Sequence, residues 1–289
     1  MKWFDYAAPE SVAEAISLLS AHPDARLLAG GTDLLAQLRA GRRETHLVID
    51  VKGISELNEI SYDPARGLTL GTAVPCYRVY QNPDIVRYFP SLAEVAGLIG
   101  GVQIQGRASI GGNLCNAAPS ADSAPLLIAL GTVCRVAGPG GARDMAVEDF
   151  CTAPGRTVLQ TGELLVSLHL PPPRPHSGAQ YLRFIPRNEM DIAVAGAGVE
   201  IILENGSFHS ARIALASVAP TPLFVKTAGD SLAGQPVTGA SIAAAAEIAR
   251  SAAAPITDMR GTAEYRQHLC YVFTRRALEA AVERARKGA

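Results

Sequence analysis

The chain has 289 residues, of which 48% are hydrophobic and 18% charged, with a formal net charge of −1. That length and balance support two domains, or one large domain with a satellite, around sizeable cores, and they exclude a disordered chain. No basic patch suits a nucleic acid, no apolar run reaches a membrane span, and the opening MKWFDYAAPESV lacks the apolar region of a signal peptide. The five cysteines are odd in number and form no C-x-x-C pair. Neither a disulfide framework nor a self-contained iron–sulfur site is therefore expected, and a reducing cytoplasm is the expected compartment.

Ser11-Val12-Ala13-Glu14 is a capping-box pattern, predicting a short helix that runs to about residue 21. Residues 25–29 (ARLLA) read as a buried strand, Gly30-Gly31 as a tight turn, and residues 33–40 as a helix capped by Asp33 and closed by Gly41. Residues 46–51 form the next strand. This β-α-β unit puts glycines at a strand-to-helix junction, where free N–H groups and positive potential suit a phosphate, and Thr32 adds a hydroxyl. A packing turn in an α/β layer is the competing reading of the same stretch. Residues 67–73 read as a strand, and Ser91-Leu92-Ala93-Glu94 repeats the capping box, with its helix ending at Gly100-Gly101.

Residues 108–122 (ASIGGNLCNAAPSAD) carry the densest signal. Gly111 and Gly112 stand between Ser109 and Asn113. Glycines there allow positive φ and close approach, so that backbone N–H groups converge on an anion, with two side-chain donors beside them. Pro119, Ser120 and Asp122 then form a turn ending in a carboxylate. The arrangement suits a large ligand with phosphate at one end and hydroxyl or N–H donors at the other; a Gly-Gly turn followed by an Asx turn is the plain alternative. A helix is expected at 122–130, strands at 133–136 and 164–170, and a linker at 171–178 (PPPRPHSG). Three strands follow at 180–185, 192–203 and 211–218, the last two joined by a Glu204-Asn205-Gly206 hairpin turn. A helix at 242–253 and a long amphipathic helix at 263–287 complete the chain, the latter burying Tyr265, Leu269, Val272, Leu278 and Val282.

Four motifs occur in order: LLAGGTDL at 27–34, SIGGN at 109–113 with Ser120-Ala121-Asp122 after it, RNEMDIA at 187–193, and RGTAEYR at 260–266 with TRRAL at 274–278. Together they resemble the FAD-binding medium subunit of the molybdenum hydroxylases, a family that includes the flavoprotein subunits of bacterial CO dehydrogenases and the central FAD domain of xanthine dehydrogenase. The resemblance covers essentially the whole chain. It implies an α+β fold, with a PCMH-type FAD-binding domain at 1–175. That domain divides into a small α/β subdomain (about 1–55) and a larger α+β subdomain (about 56–175). A CO-dehydrogenase-flavoprotein-like domain, a three-stranded sheet with covering helices, is implied at 176–289.

The resemblance also assigns the site. Leu27, Leu28, Ala29, Gly30, Gly31, Thr32, Asp33 and Leu34, with Ile110, Gly111, Gly112 and Asn113, line the FAD pyrophosphate cradle. Ser109, Asn113 and Asp122 bind polar parts of the cofactor. Arg183 and Ile192 approach the isoalloxazine, with Ile99 and Leu165 as apolar contacts. No acid–base residue and no metal ligand is implied in this chain. FAD is expected to be non-covalent, because residues 30–34 hold Thr32 and Asp33 but no histidine. The [2Fe–2S] clusters and molybdopterin belong to partners, an iron–sulfur small subunit and a molybdopterin large subunit, and electrons leave to NAD, oxygen, a quinone or another acceptor. The Cys-rich insertion of the 4-hydroxybenzoyl-CoA reductases is missing. Three rivals remain. A Rossmann dehydrogenase would rest on Gly196-Ala197-Gly198, which lacks a third glycine and a following helix. A freestanding flavin oxidase would need a larger substrate domain, and an FAD-less scaffold would not need intact glycines in both loops.

Overall fold

The fold is described from a computed structural model, over residues 2–287. Three short parallel strands lie in the spatial order Asp5–Ala7, Leu47–Asp50, Arg26–Leu28. On one face Leu28 and Val48 pack under Leu38 of the helix Leu34–Arg39; on the other, Leu47 and Ile49 meet Ala15 and Leu19 of the helix Val12–Ala21. The strand Asp5–Ala7 was not expected, since three mostly exposed residues carry no periodicity. The first helix begins at Ser11, whose hydroxyl accepts the Glu14 N–H, while the Glu14 carboxylate accepts from Glu10 N–H, one residue short of a full capping box. Asp33 does not cap the second helix. Its backbone is already helical (φ −92°, ψ −49°), not extended as in a capping residue, and its side chain makes no capping bond.

The second unit is a five-stranded antiparallel sheet in the order Ile60–Asp63, Gly67–Gly71, Leu164–Leu170, Val133–Gly138, Gly141–Ala146. The long crossover from Gly71 to Val133 carries six short helices, among them Pro90–Ala96, Ile110–Cys115 and Ser123–Ala129. They cover the sheet around Leu68, Leu70, Val136 and Leu168. The helix expected to start at Ser91 starts at Pro90 and ends at Ala96. Proline occupies the first turn, where its missing N–H costs nothing, and Ser91 is buried inside the helix.

Residues 171–176 lead into a four-stranded antiparallel sheet, Ser177–Phe184, Ala195–Glu204, Ser207–Ala216 and Leu223–Phe224. This is one strand more than expected, because the two-residue fourth strand is too short to show alternation. The helices Gly239–Ala252 and Ala263–Lys287 cover one face. Leu269, Leu278 and Val282 are buried there as expected, but Tyr265 is exposed and Val272 only half-buried. Small residues decide which side turns inward. A Cβ on Gly178 would lie 2.0 Å from the Ala281 carbonyl oxygen, so the helix rests almost directly on the sheet backbone through Ala277, Ala281 and Ala285.

The sheet's other face presents Tyr181, Gly198 and Ala214 to the helix Ser123–Ala129. A Cβ on Gly198 would sit 2.6 Å from the Pro125 carbonyl carbon. Gly196-Ala197-Gly198 therefore lies inside a strand that docks a helix, which removes the Rossmann reading. Further ties cross the same junction: Ser217 N–H to the Pro119 carbonyl (2.8 Å), Arg212 to Glu148 (2.8 Å) and the Ile128 carbonyl (3.0 Å), and Arg284 to Glu94 (2.6 Å).

Candidate FAD site

The first glycine motif touches the residues just before the second, far from it in sequence. Gly30 follows the strand Arg26–Leu28, and a Cβ on it would lie 2.1 Å from the carbonyl oxygen of Arg107. Arg107 Nε donates back to the Gly30 carbonyl at 3.2 Å, and Gln37 Nε2 donates to Asn116 Oδ1 at 2.9 Å. Gly31 has φ +77°, a left-handed backbone that favours glycine. The two glycines thus do different work, one admitting a neighbouring backbone and the other turning the chain.

SIGGN forms the start of a helix, not a loop of left-handed glycines. Ser109 is its N-cap, with extended backbone, and its hydroxyl accepts the Gly112 N–H at 3.0 Å. Gly111 and Gly112 are the helix's second and third residues, and neither has positive φ. A Cβ on Gly111 would fall 2.4 Å from Thr72 Cβ, so this glycine makes room for the strand end beneath it. On Gly112, among the described residues and apart from its own helix backbone and chain neighbours, a Cβ would meet only Ser109 Oγ, at 2.9 Å, which leaves that side of the helix open. Ser109 itself is 3% exposed, its hydroxyl engaged in the cap. Asn113 Oδ1 accepts the Ser123 hydroxyl at 2.7 Å, leaving its amide N–H groups as donors.

Thr72 links this helix to Leu165. Its backbone lies under Gly111 and its hydroxyl donates to the Leu165 carbonyl at 2.8 Å. Leu165 and Ile99 are both buried in the core of the antiparallel sheet. Ile192 is 46% exposed, in the loop before the strand that was expected to include it and that begins at Ala195. That loop meets the 99–101 segment, since a Cβ on Gly101 would lie 3.2 Å from Met190 Cγ and Sδ.

Asp122 and Arg183 meet each other. The Arg183 guanidinium pairs with one Asp122 oxygen, and the Tyr181 hydroxyl donates to the other at 2.9 Å. Burial pushes the Asp122 carboxyl up to about 6, against the opposing pull of Arg183 and Tyr181. Burial likewise raises the Asp33 carboxyl, which has no charged partner among the described residues. Thr72, Arg107 and Tyr181 were not singled out in the sequence. Arg107 stands two residues before SIGGN and could have drawn notice, whereas Thr72 and Tyr181 sit within ordinary strand patterns.

The donor set suits FAD: a glycine turn with left-handed backbone, an open helix flank at Gly112, and amide donors on Asn113 for a pyrophosphate. Among the described residues, no cluster of three or more His, Cys, Asp or Glu could hold a metal, and no helix is long and apolar enough to cross a membrane.

Comparison with known proteins gives the family. Residues 2–173 match the family model of the FAD binding domain in molybdopterin dehydrogenase, and residues 180–281 that of the CO dehydrogenase flavoprotein C-terminal domain. The chain is 33% identical over 286 residues to the xanthine dehydrogenase FAD-binding subunit of Escherichia coli O157:H7, covering 98% of both. It is 32% identical over 284 residues to the carbon monoxide dehydrogenase medium chain of Afipia carboxidovorans, again covering 98% of both. The structure resembles carbon monoxide dehydrogenase from Hydrogenophaga pseudoflava with a TM-score of 0.94 at 32% identity, over 98% of each chain. It resembles quinoline 2-oxidoreductase from Pseudomonas putida 86 with a TM-score of 0.91 at 30% identity, over 99% of each. The chain belongs to the FAD-binding subunits of the xanthine dehydrogenase and CO dehydrogenase family, and is an oxidoreductase flavoprotein subunit.

Proposed function

We propose that this chain is the electron-transfer subunit of a cytoplasmic molybdenum hydroxylase. It takes electrons from the [2Fe–2S] clusters of an iron–sulfur small subunit, while a molybdopterin large subunit oxidises the substrate, and it delivers them to NAD, oxygen, a quinone or another acceptor. Bound FAD supplies the redox chemistry, converting between single-electron and two-electron transfer. The protein's part is to bind, orient and shield.

In this reading residues 27–34 and 110–113 hold the pyrophosphate, with Asn113 donating and the Gly112 flank admitting it. Ser109 acts through the backbone it caps. Asp122 and Arg183 fix a polar edge of the cofactor from the junction of the two sheets. Leu165 and Ile99 supply apolar wall, and Ile192 lies at the exposed rim. Attachment is non-covalent, in keeping with the absence of histidine from both glycine motifs. The domain boundary falls at residues 171–176. One observation carries the proposal: Gly30 abuts Arg107, two residues before SIGGN, so the two glycine motifs stand on neighbouring stretches.

The test is to purify the chain with its neighbouring subunits, precipitate it with acid and assay the supernatant for FAD. Reduction of the intact complex by its substrate should then bleach the flavin band, and an added acceptor should restore it. A complex that oxidises its substrate in the absence of any acceptor while its flavin stays oxidised would overturn the electron-transfer role.

A further inference from the structure

The motif Gly196-Ala197-Gly198, unused by the site so far, shapes a contact that reaches the cofactor loop. Tyr181 is 3% exposed and lies on the strand next to this motif, on the same sheet face as Gly196 and Gly198. A Cβ on Gly196 would stand 2.6 Å from the Tyr181 hydroxyl oxygen and 3.0 Å from Cζ, so the phenol occupies the space that a side chain there would fill. From that seat the hydroxyl donates to Asp122, at the end of the 108–122 stretch, while Arg183, two residues along the same strand, takes the other carboxylate oxygen.

We propose that Tyr181 is a positioning residue for the flavin site, its phenol seated over Gly196 and holding Asp122 in register with Arg183. The C-terminal sheet thereby sets the geometry of a residue on the cofactor loop. This rests on the proposed contact of Asp122 and Arg183 with FAD. Tyr181 and Arg183 are the titratable or charged groups that face Asp122; the adjoining strand offers Gly196 and Gly198, and the helix Ser123–Ala129 offers only the Ser123 hydroxyl, which is turned to Asn113. Tyr181 holds the Asp122 carboxyl lower than burial alone would leave it. Removing the hydroxyl shifts the Asp122 titration upward and loosens its hold on Arg183.

The test is FAD titration of the purified full-length chain, read by quenching of flavin fluorescence between about pH 5 and 8, for wild type, Tyr181→Phe and Gly196→Ala. Tyr181→Phe should keep the ring packing and the melting temperature, weaken FAD binding about tenfold at neutral pH, and move the acid limb of the binding profile to higher pH. Gly196→Ala displaces the phenol and should weaken FAD binding similarly with the tyrosine still present. Wild-type affinity and an unmoved profile in Tyr181→Phe would overturn the positioning role and leave the FAD reading intact. Loss of melting temperature with an unmoved profile would also overturn it, marking a purely structural contact. A wild-type chain that binds no FAD would overturn both.

Discussion

Gly30 packs against the backbone of Arg107 with no room for a side chain, and Arg107 Nε closes the contact on the Gly30 carbonyl at 3.2 Å. The first glycine of the AGG motif is thus a packing joint between the parallel-strand unit and the segment before SIGGN. Gly30→Ala should destabilise the chain by about 1–3 kcal/mol, as overpacking does, with or without FAD. Thermal denaturation of the flavin-free protein measures this; an unchanged melting temperature would contradict the joint.

Gly111 and Gly112 should separate stability from binding. Gly111→Ala forces a methyl to within 2.4 Å of Thr72 Cβ and should lower the melting temperature of flavin-free protein. Gly112→Ala meets only the Ser109 hydroxyl. The better helix propensity of alanine, about 1 kcal/mol, should roughly offset a weakened cap of similar size. Its stability should stay near wild type while FAD affinity falls, because the methyl projects into the open flank. Equal behaviour of the two variants in both assays would count against this division.

Gly198 governs how the C-terminal sheet seats on the helix Ser123–Ala129. In Gly198→Val the added carbons collide with the Pro125–Leu126 peptide and should part the two units. Limited proteolysis should then cut faster within residues 171–176, the exposed connection between the sheets. Cleavage at the wild-type rate would show that the junction tolerates the change.

Glu200 makes a pH-dependent contribution. Burial pushes its carboxyl up to about 7, with Arg212, its cross-strand neighbour, and Arg174 opposing. The folded chain therefore holds this proton more tightly than the unfolded chain, whose glutamate titrates near its ordinary 4.5. The contribution is fully present below about pH 4.5 and is lost as pH rises through about 7. Glu200→Gln should accordingly match wild type at about pH 4 and exceed it by about 1–3 kcal/mol at about pH 8, in chemical denaturation at the two pH values. A variant no more stable than wild type at the higher pH would refute this.

Motif order carried the family, the cofactor and the long elements. LLAGGTDL is legible because glycine at a strand-to-helix junction is chemically restrictive, SIGGN because paired glycines flanked by Ser109 and Asn113 are a restrictive combination, and the long helices and strands because their patterns repeat. The strands Asp5–Ala7 and Leu223–Phe224 escaped because an element of two or three residues has no period to detect. The apolar pattern places Tyr265 on the buried face, because an aromatic residue weighs heavily in any such pattern, yet it is exposed. The helix instead turns its alanines inward, since Gly178 lets it come within backbone contact of the sheet.

Composition and local spacing determined the Gly30-Gly31 turn and most of the longer helices and strands, because those preferences act within a few residues along the chain. The four motifs in order carried the resemblance to the FAD-binding family. The reason for each glycine was decided only by tertiary structure. Gly30 admits Arg107, Gly111 admits Thr72, Gly198 admits Pro125, and Gly196 leaves space for the Tyr181 ring that reaches Asp122. A missing Cβ reads the same in sequence whether it serves a turn, a ligand or a neighbour. Which of these it serves depends on what packs against it, and those partners come from distant parts of the chain.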